Sequence, residues 1–115
     1  MDEEGIRATW RAAVVPGNSE QPVYGNLSWI GRRSAVVRMD HNLAAGQRCT
    51  LALMLPKHKA GMQPRFIEGS GVISLSVVRS MQFHITIDPL NLSGNGVDLL
   101  EEQIRLHGQI WRPPQ

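Results

Sequence analysis

The sequence predicts a mainly β protein, a six-stranded antiparallel barrel with one C-terminal helix. Short apolar runs recur up to Asp88, several of them alternating inward and outward with a period of two, the signature of half-buried strands. Clusters of Pro, Gly, Asn and Asp separate these runs, as turns demand. After Asn95 the apolar spacing changes to that of a helix. The chain of 115 residues is one domain's worth, and no repeat of solenoid length occurs.

Residues 1–6 read as a flexible, acidic start, and 7–115 as the barrel domain. Thr9–Val15 is short, β-branched and apolar, and stops at Pro16-Gly17; it is the first expected strand. Val23–Ser28 is the second and Ser34–Met39 the third, with Ala35, Val37 and Met39 on one face. The stretch Asn26-Leu27-Ser28-Trp29-Ile30-Gly31 is expected to form the turn between them. Arg48–Leu55 is the fourth strand, placing Cys49, Leu51, Leu53 and Leu55 together.

Pro56–Pro64 is the most loop-like segment. Phe66–Val78 is a long fifth strand, interrupted by Gly69 and Gly71, which suit a bulge or a barrel corner. Ile73, Leu75 and Val77 alternate along it. Ser80–Asp88 is the sixth, with Met81, Phe83, Ile85 and Ile87 expected inward. A helix follows at about 97–107, with Val97, Leu100 and Ile104 as its apolar stripe, Asn95 as N-cap and Gly108 just past its end.

Composition narrows the function classes. Apolar residues make up 42%, enough for a core, and no run approaches the roughly 20 residues of a membrane-spanning helix. The acidic N-terminus lacks the apolar segment of a secretory signal. A lone cysteine, Cys49, forms no intrachain disulfide, so the expected location is the cytoplasm, including the cytoplasmic part of a membrane-bound protein. No metal site is expected, because the four histidines lack ligand spacing. No nucleophile–base pair, phosphate loop or paired carboxylates stand out, so an enzyme is not expected.

Ten of the twelve basic residues are arginine. Arginine's planar fork grips a phosphate or a guanine edge through two parallel hydrogen bonds, which lysine cannot do. Codon bias explains such a composition equally well, so position matters more. Arg7 and Arg11 lie four apart around Trp10. In an extended chain Arg7, Thr9 and Arg11 face one way and Trp10 the other. Downstream, Asn26, Ser28 and Gly31 form N-x-S-x-x-G; a second copy runs from Asn91 through Ser93 to Gly96. The second copy precedes the helix, where Asn, Ser and Gly cap and turn. It is therefore assigned a structural role.

In this order, R-x-x-x-R then N-x-S-x-x-G, the chain resembles the PilZ domain family of bacterial cyclic di-GMP receptors. The five motif positions match, and the rest of the chain agrees in outline. The resemblance implies a six-stranded barrel and a ligand site in which Arg7 and Arg11 clamp the nucleotide. Asn26 and Ser28 would read a base, and Gly31 would let the backbone approach. Trp29, Arg32 and Arg33 are secondary candidates, Trp29 as a stacking surface or an apolar lid. Arg32, Arg33 and Arg38 lie close enough to add phosphate contacts, although such runs are usually solvated faces. Cyclic di-GMP would be the ligand, and no other cofactor is expected. Binding would order the arginine segment and pass a signal to a protein effector or to a fused polysaccharide synthase or motility component. Two alternatives stand beside this reading: a small barrel binding RNA or single-stranded DNA, favoured by an isoelectric point near 9.2, and a PilZ-like interaction module that no longer binds ligand.

Overall fold

A computed structural model describes residues 5–17, 19–56, 61 and 63–108. Seven strands and one helix follow in order: β1 Gly5–Arg7, β2 Arg11–Pro16, β3 Val23–Gly31, β4 Ala35–Met39, β5 Arg48–Met54, β6 Phe66–Arg79, β7 Gln82–Leu92 and α1 Gly96–Gly108. The sheet runs β1-β3-β2-β5-β6-β7-β4, and β3 also pairs with β4. That last pairing closes β2 to β7 into a six-stranded antiparallel barrel. Strand β1 extends it, paired with the far end of β3 through Arg7–Trp29, Ile6–Ile30 and Gly5–Gly31.

The core follows the period-two pattern. Val14, Leu27, Val37, Leu53, Ile67, Ile73, Ile85 and Ile87 are all fully buried, so every barrel strand contributes. Burial of such side chains is the main stabilising term, at about 1.5–3 kcal/mol each. Cys49 lies among them, and burial pushes its thiol up from the ordinary value. The inward faces expected for β4 and β5 are the observed ones, from Ala35 to Met39 and from Cys49 to Leu55.

Several expectations need correction. Residues 5 and 6 are not a flexible start: they belong to β1, and Ile6 is a core residue. Residues 1–4 lie outside the described ones, as do Lys57 to Ala60 of the expected loop. The first barrel strand begins at Arg11 rather than Thr9. Leu75 points outward on β6, because register shifts between Gly71 and Leu75 interrupt its alternation. Met81 is 94% exposed rather than inward. It and Ser80 form the β6–β7 turn, both at positive φ.

Helix α1 packs on β6 and β1. Its buried stripe is Leu100 and Gln103 with Leu99 and Ile104, whereas Val97 is exposed. The Asn95 carbonyl accepts the first helical bond, from Leu99 N, which makes Asn95 the N-cap. Two ion pairs hold the outer side: Arg32 to Glu101 at 2.8 Å and Arg65 to Glu102 at 2.9 Å.

Candidate functional site

The stretch 26–31 is strand, not turn. It forms the second half of β3, and the turn to β4 falls on Arg32 and Arg33, closed by Gly31 N donating to Ser34 O at 2.9 Å. A bulge explains the misreading. The β3–β4 register shifts between Leu27 and Trp29, so Ser28 is the extra residue. An unbroken strand would turn Leu27 and Ile30, three apart, to opposite faces. The bulge lets both be fully buried. It thereby keeps Ser28 and Trp29, both partly exposed, out of the core.

The neighbouring strand is interrupted at the same level. β1 ends at Arg7 opposite Trp29, and β2 begins at Arg11 opposite Asn26. Between them Trp10 drops into the core while Arg7, Thr9 and Arg11 stay exposed. The interruption is tied to β3 by Leu27 N donating to Trp10 O at 2.8 Å, and by Asn26 Nδ2 donating to Thr9 O at 3.3 Å. The two signature segments are thus hydrogen-bonded to each other. This bond also orients the Asn26 amide, leaving Oδ1 as the acceptor.

Arg7, Arg11, Asn26 and Ser28 therefore lie on one outer patch of the barrel. Arg11 and Asn26 are directly opposed, so their Cα atoms are about 4.5–5.5 Å apart. Gly31 is buried at the end of β3 opposite Gly5, away from the exposed side chains of the patch. The glycines at positive φ among the described residues are Gly46, Gly61 and Gly94, so Gly31 is not a left-handed position.

The secondary candidates separate. The Trp29 ring lies over Gly5: a Cβ there would meet its Cζ2 at 2.5 Å. Gly5 faces Gly31, so the indole leans away from Asn26 and walls one end of the patch. Arg32 is engaged by Glu101, whose carboxyl is held below its ordinary value chiefly by this hydrogen bond. The Arg33 carbonyl accepts from Leu90 N, anchoring the turn to β7.

Of the duplicate motif, Ser93 is structural, its Oγ donating to Glu68 O at 3.0 Å. Asn91 does not begin the helix; it lies in β7 opposite Ser70 and lines a cleft of about 580 Å³. That cleft includes none of the predicted site residues.

Sequence reasoning missed one feature and weighed another too lightly. Tyr24 and Phe66, 69% and 47% exposed, flank a shallow cleft of about 190 Å³ that also includes Arg11, Met54 and an alanine floor of Ala13 and Ala52. The signal was present as outward positions on alternating strands, but placing β3 and β6 around β2 and β5 required the topology. The other is Arg38, which the sequence groups with Arg32 and Arg33 but which the fold sets apart, directly opposite Asn26 on β4 and opposite His84 on β7.

No family model and no curated protein matches the sequence. Among solved structures, the chain is similar to the Bacillus subtilis inhibitor of motility MotI/DgrA, with a TM-score of 0.76 and 18% identity. The match covers 97% of this chain and 53% of that protein, so the chain spans about half the neighbour's length. At this identity the similarity establishes the fold: a closed six-stranded antiparallel barrel with a C-terminal helix.

Proposed function

We propose that the chain is a non-catalytic receptor module for cyclic di-GMP. The observation that carries this reading is the patch itself. A bulge on β3 and an interruption between β1 and β2 coincide, and together they turn Arg7, Arg11, Asn26 and Ser28 to one outer face. Two guanidinium groups suit two phosphates or a guanine edge. The Asn26 Oδ1 suits the N1–H and N2–H donors of guanine. The similarity to a motility inhibitor agrees with a signalling role, and the buried lone cysteine agrees with the cytoplasm.

The arginine segment packs on the barrel through Ile6 and Trp10 and is interrupted between them. Ligand would bridge β1 to β2 across the Ala8–Trp10 interruption, order the arginine segment there and recharge this face for an effector, such as a polysaccharide synthase or motility component. Calorimetric titration with cyclic di-GMP tests the reading. Wild type is expected to bind, and Arg7→Ala and Arg11→Ala to weaken binding about tenfold or more each, as lost charge-assisted pairs do. No heat in the wild type would overturn it.

A second reading rests on Tyr24 and Phe66 beside Arg11, which offer stacking faces to a single strand. Oligonucleotide binding that is steeply salt-dependent and indifferent to cyclic di-GMP would favour it.

A further inference from the structure

Among the described residues, Arg38 is an arginine near the patch that the signatures do not name and whose Nε has no hydrogen-bond partner. Its neighbours on β4, Val37 and Met39, are core residues, so Arg38 faces outward. Register places it directly across from Asn26 on one side and His84 on the other. Arg11, Asn26 and Arg38 thus form a row across β2, β3 and β4, with the two arginine Cα atoms about 10 Å apart. β3 comes in tightly here, because Gly25 has no Cβ to meet the Arg38 carbonyl oxygen.

The side chain is half-buried, and its Nε is shut off from solvent with no hydrogen-bond partner. The outward acid two residues on, Asp40, accepts from Gln82 at 3.4 Å. Arg32, by contrast, is held by Glu101. A solvated surface arginine keeps its donors in water. A donor buried without an acceptor is costly, and an acceptor pair that draws the fork outward relieves that cost.

We propose that Arg38 is a specificity-determining residue of the same site and takes the O6/N7 edge of a guanine, beside the amide of Asn26. This inference rests on the cyclic di-GMP reading and extends it from the charge of the ligand to the identity of its base. Arg7 and Arg11 are fully outward and suit phosphate oxygens, which every cyclic dinucleotide carries. Arg38 is confined between Asn26 and His84, where a flat, uncharged edge fits better than a hydrated phosphate. Drawn outward from its buried position, the fork meets the base side-on, with Nε and one Nη as the two parallel donors. Adenine offers N7 as acceptor but a donor at the neighbouring position, so it satisfies only half of the fork.

The experiment compares cyclic di-GMP with cyclic di-AMP in competition titrations on wild type, Arg38→Lys and Arg38→Met, with the unfolding midpoint of each as a folding control. Arg38→Lys keeps the charge and stem and decides the question should Arg38→Met fail to fold. In both variants the preference for the guanine ligand is expected to fall about tenfold or more, through weaker cyclic di-GMP binding and little change for cyclic di-AMP. Equal losses for both ligands would make Arg38 a phosphate contact and overturn the proposal. Unchanged affinities in folded variants would remove Arg38 from the site while leaving the receptor reading intact. A wild type that binds neither ligand would overturn the receptor reading itself, and the Arg38 proposal with it.

Discussion

At Gly25 a side chain has nowhere to go: a Cβ would run into the Arg38 carbonyl oxygen and crowd Met39 Cβ at 3.0 Å. The obstruction is backbone on a paired strand, so it yields only if β3 and β4 separate. Gly25→Ala is therefore expected to destabilise the fold by about 1–3 kcal/mol, the range of overpacking substitutions, as read by urea denaturation. An unchanged midpoint would show that the two strands separate without cost. Arg11 is the opposite case. It is exposed and lies outside the buried core, so Arg11→Ala should leave the denaturation midpoint within about 0.5 kcal/mol of wild type while weakening ligand binding. A variant that lost both together would point to a structural role for Arg11.

Among the elements, the strands of the middle of the chain were legible because their alternation is unbroken: β4 from Ala35 to Met39 and β5 from Cys49 to Leu55. Misreadings arose where the period slips. Asn26, Ser28 and Gly31 have the local chemistry of a turn, yet cross-strand pairing and the Ser28 bulge keep them in β3. β1 was hidden because three residues carry no readable period, and only pairing to β3 makes Gly5–Arg7 a strand. The turn between β6 and β7 carried no signal at all. Ser80 and Met81 sit at φ 50° and 65°, where Asn-Gly is preferred. Since Met81 buries nothing, Met81→Gly should stabilise the hairpin by about 1 kcal/mol, measured as a higher unfolding midpoint. A lower midpoint would show that Met81 makes contacts in the folded state. The helix adds a pH-dependent anchor. Arg32 lowers the folded pKa of Glu101 below its ordinary 4.5. That contribution is present above the unfolded value and is lost as pH falls through the folded value. Wild type should exceed Glu101→Gln in unfolding temperature at neutral pH, with the gap closing in acid. A gap independent of pH would show that the ion pair is not its source.

On the scale of the whole molecule, the candidate site lies across a seam of the barrel. β3 receives β1 and β2 on one edge and β4 on the other, so Arg7, Arg11, Asn26 and Arg38 join segments separated in sequence. The ring of strands has one shared core, and a single small domain of this kind is expected to unfold in one cooperative step. A ligand touching three adjacent strands of the ring stabilises the native state as a whole, because the unfolded chain does not assemble the patch. At a free concentration one hundred times its dissociation constant, such a ligand adds about 2.7 kcal/mol. For a domain of this size that is roughly a 10 °C rise in the unfolding midpoint. Differential scanning calorimetry with cyclic di-GMP should therefore move one transition upward without splitting it. The same addition to Arg11→Ala should give a smaller rise from an unchanged starting midpoint. A wild-type transition that does not move at saturating ligand would count against the patch as a nucleotide site. A transition that splits would show that β1 and its arginine unfold separately from the barrel, making ligand-dependent ordering of that strand, rather than stabilisation of the whole, the response to measure.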